Sequence, residues 1–150
     1  MNIHFINAKE KKQLIGELNE RFGIEKLDYL LLETGKEKIR AFSGSMTKDE
    51  IIKLSEIARI EIIGMYFAKR DFVLRLSFDA LHIIKNQVTK NIIEIDDSEF
   101  QNWIRGQVID KEIEKGIYVI RYKGDFVGCG FSNGKRIFKF VPKERQIRSN

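Results

Sequence analysis

The sequence predicts an α+β protein of two units. An N-terminal α/β domain with a mostly antiparallel sheet occupies residues 1–88, and a small C-terminal β-barrel occupies residues 89–150. Three observations carry this. Amphipathic helical stretches alternate with short apolar strands as far as Asn86. Beyond it, short strands follow one another at close spacing with glycine turns between them. The 150 residues, 43% hydrophobic and 33% charged, suffice for one ordinary domain or two small ones. With one proline and no Gly/Ser-rich stretch, any boundary is short and rigid.

Asn7 is placed to cap a helix through "AKEKKQLIGELNERF", with Leu14, Leu18 and Phe22 on one stripe and Gly23 just past its end. "LDYLLLE" and "KIRAFSG" read as strands joined by the turn "TGKE". Thr47 and Glu50 form a capping box that opens a short helix reaching about Ile57, with Ile51, Leu54 and Ala58 apolar. "IEIIGMYF" (60–67) and "DFVLRLSF" (71–78) are strand-like and are separated by the basic corner Lys69–Arg70. "DALHIIKN" reads as a helix, and the helices of this unit are expected on one side of the sheet. In the second unit "NIIEID" is a short strand, and Asp97 or Ser98 caps "EFQNWIRG", which Gly106 ends. "GIYVIRYKG", "DFVGCGF" and "KRIFKFV" complete it as three strands.

The net charge of +5 is unevenly placed. Residues 115–150 hold nine Lys and Arg against Asp125 and Glu144, a surplus of +7, and residues 1–114 net −2. Such asymmetry points to a surface for a polyanion, although a solvated lysine-rich face has the same composition. No apolar run reaches the roughly 18 residues of a membrane helix, and the N-terminus lacks a secretory leader pattern. The lone Cys129 has no partner for an internal disulfide, so a cytoplasmic protein is expected. Abundant isoleucine, with 17 lysines to 10 arginines, fits either an AT-rich genome or heat adaptation.

Enzyme readings find little support. Gly128, Gly130 and Gly134 approach a dinucleotide fingerprint, but an alternating strand follows them where a helix N-terminus must hold the pyrophosphate. Glycines inside a strand more often permit a bulge or a close backbone approach. Cys129 has no base near it in sequence, and His4 and His82 fall in the other unit. Asp96, Asp97 and Glu99 sit at a helix start, where the macrodipole explains them. No catalytic set, metal site or cofactor is expected.

Binding is the stronger reading. In "KRIFKFVPKER" the residues Ile137, Lys139 and Val141 alternate with Arg136, Phe138 and Phe140, and the phenylalanine side is expected to face the core. Cations then lie at Lys135 and Arg136, at Lys139, and at Lys143, Arg145 and Arg148, with Arg121 and Lys123 on the preceding hairpin. Lys and Arg held on a sheet edge suit phosphate oxygens. Base reading needs exposed aromatics, for which Phe131 and Tyr122 are candidates, each more often a core residue. Gly106 in "IRGQVI" allows a backbone approach that a side chain would block.

"EFQNWIRGQVID" and "GIYVIRYKGDFVGCGFSNGKRIFKFVPKER" resemble the PUA domain. The match is with the variety found in short archaeal ribosome-biogenesis proteins and in the C-terminal tails of Fmu/Sun-type RNA cytosine-C5 methyltransferases. "GMYFAKRDFVLRLSFDALHII" is similar to the end of the α/β pre-PUA domain that accompanies it. The resemblance implies a PUA-type pseudo-barrel that binds structured RNA, rRNA or tRNA, with no DNA or membrane partner. It places Arg105 and Gly106 in an RNA-facing loop and Lys135, Arg136, Lys139 and Lys143 along or beyond the last strand. Arg145 and Arg148 extend that face. It further implies a non-enzymatic role in rRNA processing or RNA modification. The alternative is an adapter that recruits an RNA methyltransferase or ribosome assembly factor.

Overall fold

The structure, a computed structural model, describes residues 3–35, 37–42, 47–57, 65–70 and 74–140. Two compact units divide the chain, residues 1–90 and 91–150. In the first, α1 (Ala8–Phe22) opens at Asn7, whose side chain accepts from the Glu10 amide while the Glu10 carboxylate accepts from the Asn7 amide. Its stripe of Leu14, Leu18 and Phe22 is buried. The Thr89 amide donates to the Phe22 carbonyl at 2.8 Å, which ties the end of this unit to the end of α1.

Five strands form the sheet: β1 (Ile3–Phe5), β2 (Leu30–Thr34), β3 (Lys38–Phe42), β4 (Met65–Arg70) and β5 (Leu74–Leu76). They lie in the order β1-β2-β3-β4-β5, every described neighbour antiparallel. The three-residue β1 is too short to announce itself by alternation. The Thr47–Glu50 capping box opens α2 (Lys48–Ser55), and α3 (Phe78–Ile84) follows β5. Residues 43–44, 58, 60–64 and 71–73 of the expected elements lie outside the described residues.

Two expectations are corrected here. The helices do not share one side of the sheet. Leu30 and Leu32 pack with Ile51 and Leu54 of α2. Glu33 and Ile39 lie on the opposite face by strand alternation and line a cavity with Glu10, Leu14 and Glu17 of α1. The reason is legible in "LLL": neighbours Leu31 and Leu32 are both buried, as a strand covered on two faces requires. Nor do Lys69 and Arg70 make a corner. They are the last two residues of β4, where Lys69 pairs with Arg75 and the Arg70 guanidinium meets Glu17 at 2.7 Å.

The second unit contains β6 (Ile92–Glu94), α4 (Asp97–Ile104), β7 (Ile109–Asp110), β8 (Gly116–Tyr122), β9 (Asp125–Ser132) and β10 (Arg136–Lys139). The sheet order is β6-β8-β9-β10-β7, with β6 and β8 parallel and the remaining pairs antiparallel. Laid flat, its edge strands would stand about 19 Å apart. Yet Ile93 of β6 and Ile109 of β7 join one core cluster with Trp103, Ile120 and Ile137. The sheet therefore rolls around Trp103 as a half-barrel, with α4 supplying the plug. The cap of α4 is Asp96, not Asp97 or Ser98, because the reciprocal box with Glu99 requires its acceptor three residues earlier.

Gly128 and Gly130 lie within β9, which turns directly into β10. A Cβ on Gly128 would sit 3.1 Å from the Trp103 ring, and one on Gly130 would sit 3.0 Å from Ile137 Cγ2 and 3.1 Å from the Phe138 carbonyl oxygen. The pair thus admits the indole and the next strand, and Gly128 adjoins a register shift in which Val127 of β9 is the extra residue between the pairs Ile120–Gly128 and Arg121–Phe126. Cys129 between them is buried and serves as a packing residue.

Candidate nucleic-acid interface

Two segments some thirty residues apart come together on the rolled sheet. Trp103 anchors the C-terminal end of α4, its indole N–H donating to the Val127 carbonyl at 3.1 Å. Its own carbonyl accepts from Lys139 Nζ of β10, also at 3.1 Å. After the helix, β7 zips onto β10 with Ile109 opposite Ile137 and Asp110 opposite Arg136. The intervening residues 105–108 therefore run beside β10. Gly106 sits there at φ +73 with nothing within 4 Å of where a Cβ would project, so its backbone faces open space.

The cations on this surface are unequal. Arg105 is exposed, and its side chain has no partner among the described residues. Lys135 is likewise exposed and unpaired, at the tip of the β9–β10 turn. The Asn133 side chain holds that turn, accepting from the Lys135 and Arg136 amides at 2.9 and 2.8 Å. Arg136 is engaged by Asp110 at 2.9 Å, an exposed pair worth about 0–1 kcal/mol that a phosphate can displace. Lys143, Arg145 and Arg148 lie outside the described residues.

Lys139 departs from expectation. The phenylalanines of "KRIFKF" were expected inward and Lys139 outward, but the faces are reversed at the described positions. Ile137 is 1% exposed and Phe138 37%. Ile137 meets Ile109 and Trp103 in the core, and Lys139, two residues on, shares its side. The lysine stem lies opposite Gly130, which has no side chain to compete for the space, and its ammonium rests 5.0 Å over the Trp103 ring. Burial holds this amine below its ordinary value of 10.5.

The sign of that shift makes a prediction. Folded protein releases the Lys139 proton at lower pH than unfolded chain, so between the two pKa values the unfolded chain binds more protons and stability rises with pH. The difference in urea midpoint between wild type and Lys139→Met should therefore drift towards wild type as pH climbs to 10.5. Parallel curves would show that Lys139 stays solvated.

Arg121 and Lys123 belong to another place. Arg121 is bound by Glu94 and stacks its guanidinium over Phe126, while Lys123 Nζ lies 3.4 Å from Asp97. Tyr122 donates to Asp97 at 2.5 Å and stacks on Phe100 with centroids 4.0 Å apart. The hydrogen bond from Tyr122, followed by the Lys123 charge, depresses the Asp97 carboxyl, and Tyr122 and Asp97 in turn raise the Lys123 amine. This cluster surrounds the N-terminal end of α4, whose eight residues carry it about 12 Å from the Arg105 end. The fold thus brings Arg105, Gly106, Lys135, Arg136 and Lys139 to one loop and strand, and leaves Arg121 and Lys123 apart from them. It also exposes Phe138, Ile104 and Val108 beside them, which sequence reasoning missed. The two-residue β7 that positions Val108 gives almost no periodic signal.

Residues 90–147 match the family model described as the methyltransferase RsmF PUA domain. No curated protein matches the chain. Among solved structures, the chain is similar to one described as a conserved PUA domain protein from Thermoplasma acidophilum. The TM-score is 0.63 at 16% identity, covering 95% of this chain and 96% of that one. At that identity the likeness is one of fold. PUA domains bind RNA, and RNA binding in general is what the match implies for residues 90–147.

Proposed function

We propose that this PUA-domain protein is a non-catalytic binder of structured RNA, rRNA foremost, acting in ribosome biogenesis or RNA modification in the cytoplasm. The observation that carries the reading is the joining of the α4–β7 loop to β10, with Arg105 and Lys135 exposed and without side-chain partners among the described residues. Cations held this way bind phosphate oxygens without first breaking internal pairs. Arg136 and Lys139 would support them, the first by exchanging Asp110 for a phosphate and the second by setting the strand against α4. Lys143, Arg145 and Arg148 continue the positive segment in sequence. Arg121 and Lys123 would add long-range attraction more than contact. Among the described residues no helix is long and apolar enough to cross a membrane.

Binding of the purified protein to a folded rRNA fragment, followed by fluorescence anisotropy in moderate salt, tests this. Affinity should exceed that for a DNA duplex of the same sequence. Equal, weak binding to both would reject it. A second reading assigns the first unit to a protein, either an RNA methyltransferase or an assembly factor. It is favoured by Ile52, Ile57, Phe78 and Ile83, all exposed, with Ile57 at 84%. A partner retained after nuclease treatment would support it.

A further inference from the structure

Phosphate contacts account for the cations of this surface but not for the apolar side chains among them. Phe138 is 37% exposed, as is Val108, and Ile104 is 50% exposed. Continuing the β7–β10 register from Ile109–Ile137 puts Val108 opposite Phe138, and on its other side Phe138 pairs with half-buried Phe131 of β9. Because Ile137 points into the core, this row lies on the outer face. Arg105 comes from the loop that delivers Val108, and Lys135 lies three residues before Phe138. β10 spans about 13 Å, and along the register Phe138 lies between Lys135 and Arg105, two cations without side-chain partners among the described residues. A partner that meets both must be anionic at the flanks and flat and apolar between them. An unpaired nucleotide has that chemistry: its phosphates reach the cations and its base lies on the ring.

We infer that Phe138 is a stacking platform for an unpaired base, with Val108 and Phe131 as its apolar rim. The inference rests on the RNA-binding reading and names the kind of RNA, a stem interrupted by unpaired nucleotides. Stacking is indifferent to base identity, so the platform supplies affinity for single-stranded character without reading sequence. A protein surface is disfavoured because the row is narrow and flanked on both sides by positive charge.

The test uses the full chain and two RNA hairpins identical except for a three-adenosine bulge in one stem, its central adenine replaced by 2-aminopurine. Wild type should bind the bulged hairpin about tenfold more tightly than the paired one and quench the 2-aminopurine. Phe138→Ala should lose the preference and the quenching, keep wild-type affinity for the paired hairpin, and keep the salt slope. Phe138→Trp should restore both. If wild type binds the two hairpins equally and Phe138→Ala changes nothing, stacking is wrong while phosphate binding stands. If wild type binds neither, the RNA-binding reading itself fails. A change of oligomeric state in Phe138→Ala, seen by sedimentation without RNA, would reassign the row to a protein contact and overturn the inference.

Discussion

Replacing both unpaired cations, Arg105→Glu with Lys135→Glu, should lower affinity for a folded rRNA fragment roughly thirtyfold in 0.1 M salt. Each phosphate contact releases about 0.7–0.9 counterion, worth roughly five- to eightfold at that concentration, and two are lost. The slope of log affinity against log salt should become shallower by about one unit per contact. Thermal stability should hardly move, since both side chains are exposed and have no partner among the described residues. The comparison that decides the site is Arg121→Glu with Lys123→Glu. Those cations are held by Glu94 and Asp97 at the far end of α4, so their loss should weaken binding only a few-fold. An equal fall in the two double variants would move the interface to the β8–β9 hairpin.

Trp103→Ala should unfold the second unit or bring it close to unfolding. The indole is 1% exposed, lies against Gly128, and belongs to the cluster that joins residues of β6, β7, β8 and β10. Removing a buried tryptophan costs about 3–5 kcal/mol. The whole stability of a sixty-residue unit is about 3–9 kcal/mol. Trp103→Phe, which keeps most of the buried surface but orphans the Val127 carbonyl, should cost about 1–3 kcal/mol. Urea titrations followed by circular dichroism check both, with amide spectra showing whether the first unit's signals persist. A small effect of Trp103→Ala would mean that the sheet keeps its curl without its plug.

Much of the candidate site was legible in the chain. The sequence pointed to Arg105–Gly106 at a helix end, to a positive final strand, and to strand glycines serving backbone approach. What it misassigned was the side of β10 that faces the core. "RIFKF" alternates two apolar sets of similar strength, so periodicity alone favours the larger phenylalanines. The tie is broken by Ile109 and Trp103, which lie 28 and 34 positions before Ile137 and pack on its face. The one-sided reading of the first sheet failed for a related reason: an unbroken run such as "LLL" marks burial on two faces and names neither covering helix.

The sequence by itself determined the caps of α1 and α2, the longer strands with a glycine turn at Gly124 between β8 and β9, and the concentration of positive charge after residue 114. Each depends on residues within three or four positions of one another, or on composition alone. Only the tertiary structure decided that Asp110 engages Arg136, that Lys139 folds over an indole, that Arg105 and Lys135 have no partner among the described residues, and that Phe138 faces outward. Those facts depend on strand register and on helix-to-sheet contact between residues up to 36 positions apart in the chain, for which local pattern carries no signal.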